Sequence, residues 1–128
     1  MPNKILIIDD DIDLVETMRM VLENAGFEVD DAQDGKKGFT KIINDNPDLI
    51  ILDVMMESQD EGFHIAYEIR NNEETKDLPI IMLSAVGQET GFNFNEEKDG
   101  DFLPVNAFIE KPVNPDMLIE IVKTNLGF

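Results

Sequence analysis

Ile5-Leu6-Ile7-Ile8-Asp9-Asp10 opens the chain with a four-residue apolar run closed by acids, and three further apolar runs each lead into a polar or charged residue. Leu49-Ile50-Ile51-Leu52 runs into Asp53, Ile80-Ile81-Met82-Leu83 into Ser84, and Phe108-Ile109-Glu110 into Lys111. A run that is apolar at every position is a strand covered on both faces, the mark of a parallel sheet held between helical layers. In such a sheet ligands lie beyond the carboxyl ends of the strands, so residues distant in sequence converge there. Asp9, Asp10 and Asp53 with a hydroxyl and an ammonium at one sheet edge suit a divalent cation and a phosphoryl group.

Helical patterns fill the intervals. Leu14, Met18, Val21, Leu22 and Ala25 share one face of a helix that Gly26 is placed to stop. Phe27 to Asp30 reads as a short strand. Asp34 can cap a helix carrying Phe39, Ile42 and Ile43 that Pro47 ends. A helix from about Gly62 to Arg70, the strand at Ile80 to Leu83 and a strand near Ala107 to Glu110 follow. The last helix has Asn114 as its cap, Pro115 in its first turn, and Met117, Leu118, Ile121 and Val122 inside. Alternating strands and helices give a doubly wound five-stranded α/β domain. Met18, Met20, Met82 and Met117 fall in apolar stretches and are expected in the core.

With 128 residues the chain makes one domain, 1–128, with no room for a second folded unit. The 42% hydrophobic fraction supports a packed core despite the charge. A net charge of -18, from 28 acidic against 10 basic residues, repels a phosphate backbone and argues against direct nucleic-acid binding. There is no cysteine, hence no disulfide framework or thiolate metal site. The apolar run after Met1-Pro2-Asn3-Lys4 is too short for a signal peptide or a spanning helix, so the expected compartment is the cytoplasm, without membrane insertion. His64 has no second histidine to join it at a metal. Asp9, Asp11 and Asp13 imitate a calcium loop, but Leu14 replaces its glycine and Met20 its bidentate glutamate.

An acidic pair after the first strand, an aspartate after the third, Ser84-Ala85 after the fourth and Lys111-Pro112 after the fifth together resemble the receiver domain of two-component response regulators. The likeness covers essentially the whole chain and is closest to the single-domain, chemotaxis-regulator type without an output domain. It implies a flavodoxin-like strand order 2-1-3-4-5 and Mg²⁺-dependent transfer of a phosphoryl group from a histidine kinase or phosphotransfer protein onto Asp53. A change of shape then reaches a downstream protein target. By the same resemblance Mg²⁺ is held by Asp10, Asp53, the backbone carbonyl of Met55 and, through water, Asp9. Lys111 and Ser84 meet the phosphoryl oxygens, and Ser84 and Phe108 act as the switch. Phosphotransfer and dephosphorylation are then catalysed by the domain itself, which is not an enzyme acting on a separate substrate.

Two other functions fit parts of the pattern. Asp9-Asp10-Asp11 after an apolar strand also resembles the opening of haloacid-dehalogenase-type phosphatases, with Asp9 as nucleophile. That family generally has a further acidic pair beyond its lysine, whereas Lys111 is followed only by Asp116 and Glu120 in a helix, and Asp53 is left without a task. A receiver-like interaction module that is never phosphorylated is the other. The chain also departs from the receiver pattern. Met55-Met56-Glu57-Ser58-Gln59-Asp60-Glu61-Gly62 lacks the usual proline and is one residue longer. Gly87, Gly91 and Gly100 break up the helix expected before the last strand, and Gly87 to Asn106 is expected to serve as the output segment.

Overall fold

The apolar runs become the inner strands of one parallel sheet in the computed structural model, which describes residues 3–53, 61–84 and 105–127. The strands are β1 (Lys4–Ile8), β2 (Glu28–Ala32), β3 (Leu49–Asp53), β4 (Ile80–Ser84) and β5 (Ala107–Glu110). Among the described residues the helices are α1 (Ile12–Asn24), α2 (Gly35–Asp45), α3 (Glu61–Arg70) and α4 (Pro115–Asn125). The strand order is β2-β1-β3-β4-β5, as expected, and every neighbouring pair is parallel.

Strand alternation divides the core into two layers. Ile5, Ile7, Leu49, Ile51, Ile81, Leu83 and Ile109 face Val15, Met18 and Leu22 of α1 and Leu118 and Val122 of α4. Leu6, Ile8, Ile50, Leu52, Ile80 and Met82 face Ile42 of α2 and Ile65, Ala66 and Ile69 of α3. Every residue of β3 is buried. Burying one such aliphatic side chain stabilises the fold by about 1.5–3 kcal/mol, which explains why the uninterrupted runs dominate the architecture.

Caps set where the helices begin. The Asp34 side chain accepts from the Lys37 amide at 2.8 Å and that of Asn114 from the Met117 amide at 3.1 Å. Asp11 caps α1 in the same way, accepting from Leu14 at 3.2 Å. Beyond α1, Gly26 turns the chain at φ 99°, a left-handed conformation in which a side chain is strained.

Two expectations are corrected. Met20 and Met117 are 63% and 52% exposed rather than in the core. Met20 lies two residues beyond the buried Met18, about 200° round the helix, and Met117 precedes the buried Leu118 by one position. The second strand covers Glu28–Ala32 rather than 27–30, because Asp30 and Asp31 are taken into it. Asp30 points to the α2 layer, where Lys41 Nζ lies 3.1 Å away, and Asp31 to the α1 layer, where it pairs with Arg19. Lys41 also donates to the Asp31 carbonyl at 2.6 Å. Each aspartate of this edge strand is thus met by a cation from the helix on its own face.

Candidate phosphoacceptor and metal site

The site forms where the chain leaves β1 and β3. Ile8 pairs with Leu52, so Asp9 follows β1 next to Asp53 at the end of β3, where the direction of winding reverses. Ser84 pairs with Glu110, so the ends of β4 and β5 lie at the same edge, with Lys111 one residue further.

The three consecutive aspartates have different tasks. Asp9 is fully buried; its amide donates to the Ala32 carbonyl at 3.0 Å and its Oδ1 accepts from the Asp11 amide at 2.9 Å. Asp10 is exposed, and Asp11 is occupied in capping α1. A capping aspartate ahead of an apolar-periodic run, with Asp13 in the first turn, is a signature the sequence offers for Asp11.

Carboxylate oxygens of Asp9, Asp10 and Asp53 all lie within 4.8 Å of one another. Lys111 Nζ stands 3.5 Å from Asp53 Oδ1 and 3.9 Å from Asp9 Oδ2. Asp53 is 4% exposed, and Asp9 Oδ2 is buried without a hydrogen-bond donor among the described residues. Burial chiefly, with the neighbouring Asp53 charge adding to it, raises the Asp9 carboxyl from 3.8 to about 7, against the pull of the Asp11 amide and Lys111. Among the described residues the Lys111 ammonium thus faces two buried carboxylates, with Asp10 as a third at the mouth.

The donor set fits Mg²⁺. A hard cation with oxygen ligands at 2.0–2.1 Å in an octahedron spaces those oxygens about 3 to 4.2 Å apart, which the 4.8 Å bound on this cluster accommodates. The orphaned Asp9 oxygen supplies an acceptor for a metal or one of its waters.

The structure brings together Asp9, Asp10, Asp53 and Lys111, and the backbone of Ser84 at the same edge. Phe108 lies on β5 opposite Met82, packed against the layer that holds α2 and α3. Met55 and residues 87–104, on which the carbonyl ligand and most of the output segment were placed, lie outside the described residues, as does the side chain of Ser84. Among the described residues no helix is long and apolar enough to cross a membrane.

Comparison with known proteins points to the same chemistry. Residues 5–123 match the family model described as the response regulator receiver domain. The chain is 44% identical over 123 residues to the DNA-binding dual master transcriptional regulator RpaA of Synechocystis sp., covering 96% of this chain and 48% of that protein. It is 34% identical to the phosphate regulon transcriptional regulatory protein PhoB of Pseudomonas aeruginosa, covering 95% of this chain and 51% of that one. The chain thus spans about half the length of the curated relatives it matches. Among solved structures, the chemotaxis response regulator CheY4 of Vibrio cholerae superposes with a TM-score of 0.81 at 28% identity, over 98% of this chain and 99% of that one. A response regulator from Chloroflexus aurantiacus J-10-fl superposes with a TM-score of 0.87 at 32% identity, over the whole of both chains. The strand order, the acidic edge and a family match over nearly the full length lead to one assignment: this chain belongs to the response regulator receiver domains, the phosphoacceptor modules of two-component signalling.

Proposed function

We propose that Asp53 is the phosphoacceptor and that Asp9, Asp10 and Lys111 make its carboxylate competent to receive a phosphoryl group. A carboxylate attacking an anionic phosphoryl group needs charge cancelled and the partners held in line, not a separate base. The observation that carries this assignment is the placing of a single ammonium, Lys111 Nζ, 3.5 Å from Asp53 amid three clustered carboxylates.

Each residue then has a defined part. Asp53 uses one oxygen to form the new bond to phosphorus as the bond from phosphorus to the donor's imidazole nitrogen breaks. Lys111 meets a phosphoryl oxygen and, before transfer, stands 3.5 Å from the Asp53 carboxylate. Asp10 and Asp53, with the backbone carbonyl of Met55, would hold Mg²⁺, and Asp9 would support it from behind. When bound, Mg²⁺ neutralises charge on the transferring group and aligns it with the nucleophile. Ser84 offers a hydroxyl to the product and Phe108 follows the resulting shift as the switch. The donor is a histidine kinase or phosphotransfer protein and the readout a protein target. A net charge of -18 supports a protein rather than a nucleic acid as the direct partner of this domain.

Mapping the modified residue by mass spectrometry after incubation with Mg²⁺ and acetyl phosphate tests the assignment. A phosphoryl group on Asp53 is expected. Modification of Asp9 with turnover of a phosphoester would replace this function by that of a phosphatase, and no modification at all would favour an interaction module.

A further inference from the structure

Gly38 stands in the interior of α2 with no positive φ to require a glycine, at a position where alanine would favour the helix. The reason lies beneath it. A Cβ at this position would come within 2.8 Å of Ile8 Cγ1 and 3.3 Å of Ile8 Cγ2, and nearer still to Ile8 Cδ1. Ile8 has no room to retreat. It is fully buried, flanked by Ala32 on one side and Leu52 on the other, and branched at Cβ, which leaves χ1 stiff.

Ile8 is also the residue directly before Asp9. The Asp9 amide is bonded to Ala32 and its side chain to the Asp11 amide, so a displaced end of β1 carries the acidic pair with it. We infer that Gly38 is a positioning residue for the phosphoacceptor site: by letting α2 settle onto Ile8, it fixes the end of β1 and so the placement of Asp9 and Asp10 beside Asp53. Metal sites are sensitive to such support, since loss of an outer-shell contact commonly weakens binding about tenfold or more.

The inference rests on Mg²⁺ being held by Asp9, Asp10 and Asp53, and its test keeps the two claims apart. Gly38→Ala, Ile8→Val and the double variant are compared with the parent by Mg²⁺ calorimetry and by the amide NMR shifts of Asp9, Asp10 and Asp11 without metal. Gly38→Ala is expected to move those shifts and to weaken Mg²⁺ about tenfold. The double variant, which lacks the nearest atom, Ile8 Cδ1, but keeps the γ carbons, is expected to recover part of both losses, as for compensating residues in contact. A folded Gly38→Ala protein with parental shifts and parental Mg²⁺ affinity overturns the inference, whatever its melting temperature. If Gly38→Ala alone does not fold, the double variant decides: a tenfold weaker Mg²⁺ affinity than Ile8→Val is equally fatal. A parent that binds no Mg²⁺ removes the metal assignment, while the amide shifts still decide whether Gly38 sets the end of β1.

Discussion

Asp9–Asp10 and Asp30–Asp31 are both consecutive aspartate pairs, carried by the adjacent parallel strands β1 and β2, and the protein treats them oppositely. At β2 each acid is met by its own cation, Asp30 by Lys41 at 3.1 Å and Asp31 by Arg19. Burial works to raise the Asp30 carboxyl, but the Asp31 amide and Lys41 outweigh it and hold that carboxyl below its ordinary value. At β1 the acids stand with a third, Asp53, and among the described residues Asp9 and Asp53 both face Lys111; the Asp9 carboxyl is pushed up to about 7. Matched charge at β2 fastens an edge strand to the helices on both faces. The clustered acids at β1 instead stand together at the carboxyl edge of the sheet, the arrangement in which perturbed carboxylates mark a candidate site.

The sharpest way to break this contrast is to neutralise an acid in each region and follow phosphoryl labelling from acetyl phosphate in Mg²⁺. Asp53→Asn is expected to abolish labelling, whereas Asp30→Asn should leave the rate within about twofold, as for a partly exposed pair. Comparable losses in both would erase the distinction.

A second effect is in pH. Because the folded-state value of Asp9 is raised, its stabilising contribution is complete below about 3.8 and is lost as pH rises towards about 7. The metal-free protein should therefore lose about 2 kcal/mol between pH 5 and pH 7 through this group, measured by denaturant unfolding against Asp9→Asn, whose profile is flatter. Asp30, with its value depressed, contributes in the opposite sense: its stabilisation is present above the ordinary carboxylate value and fades as pH falls below it.

The third effect is smaller and concerns sign. Without metal, Asp10→Asn relieves repulsion and should raise stability by about 1 kcal/mol while removing most of the gain Mg²⁺ gives the parent. Asp31→Asn should lower stability by up to about 1 kcal/mol and leave the Mg²⁺ gain intact. Thermal melts with and without Mg²⁺ distinguish them, and a stabilising Asp31→Asn would contradict the account of β2.

The parallel sheet and its acidic edge were legible because each rests on a local pattern. Runs such as Leu49 to Leu52 admit few structures, and an acid at the end of such a run is positioned by the strand before it. The Asp30–Asp31 arrangement was not legible, since two charges inside a strand read as its end until the cations on α1 and α2 are seen to reach them. Met20 and Met117 are exposed because an apolar residue one or two positions from a buried one, here Leu118 and Met18, lies on another side of the helix. Long-range ties also escape a local pattern. Arg70 donates to the carbonyls of Lys76 and Leu78 at 3.1 and 2.5 Å and to Asn106 Oδ1 at 2.6 Å, joining the end of α3 to the residue before β5. Nothing around Arg70 in sequence announces a partner 36 positions away.

The strand order also bears on how the chain assembles as it emerges from the ribosome. β2 lies on one side of β1 and β3 on the other, β4 lies beside β3, and β5 beside β4. Each strand adds to an edge already present, and none has to be threaded between two that have formed. The order of synthesis and the order of addition to the sheet therefore agree, with consecutive strands lying close to one another. Until β4 arrives, the growing edge is β3, whose Ile50 and Leu52 are wholly covered in the finished domain. An edge of this kind, left open, is a template for pairing with another chain.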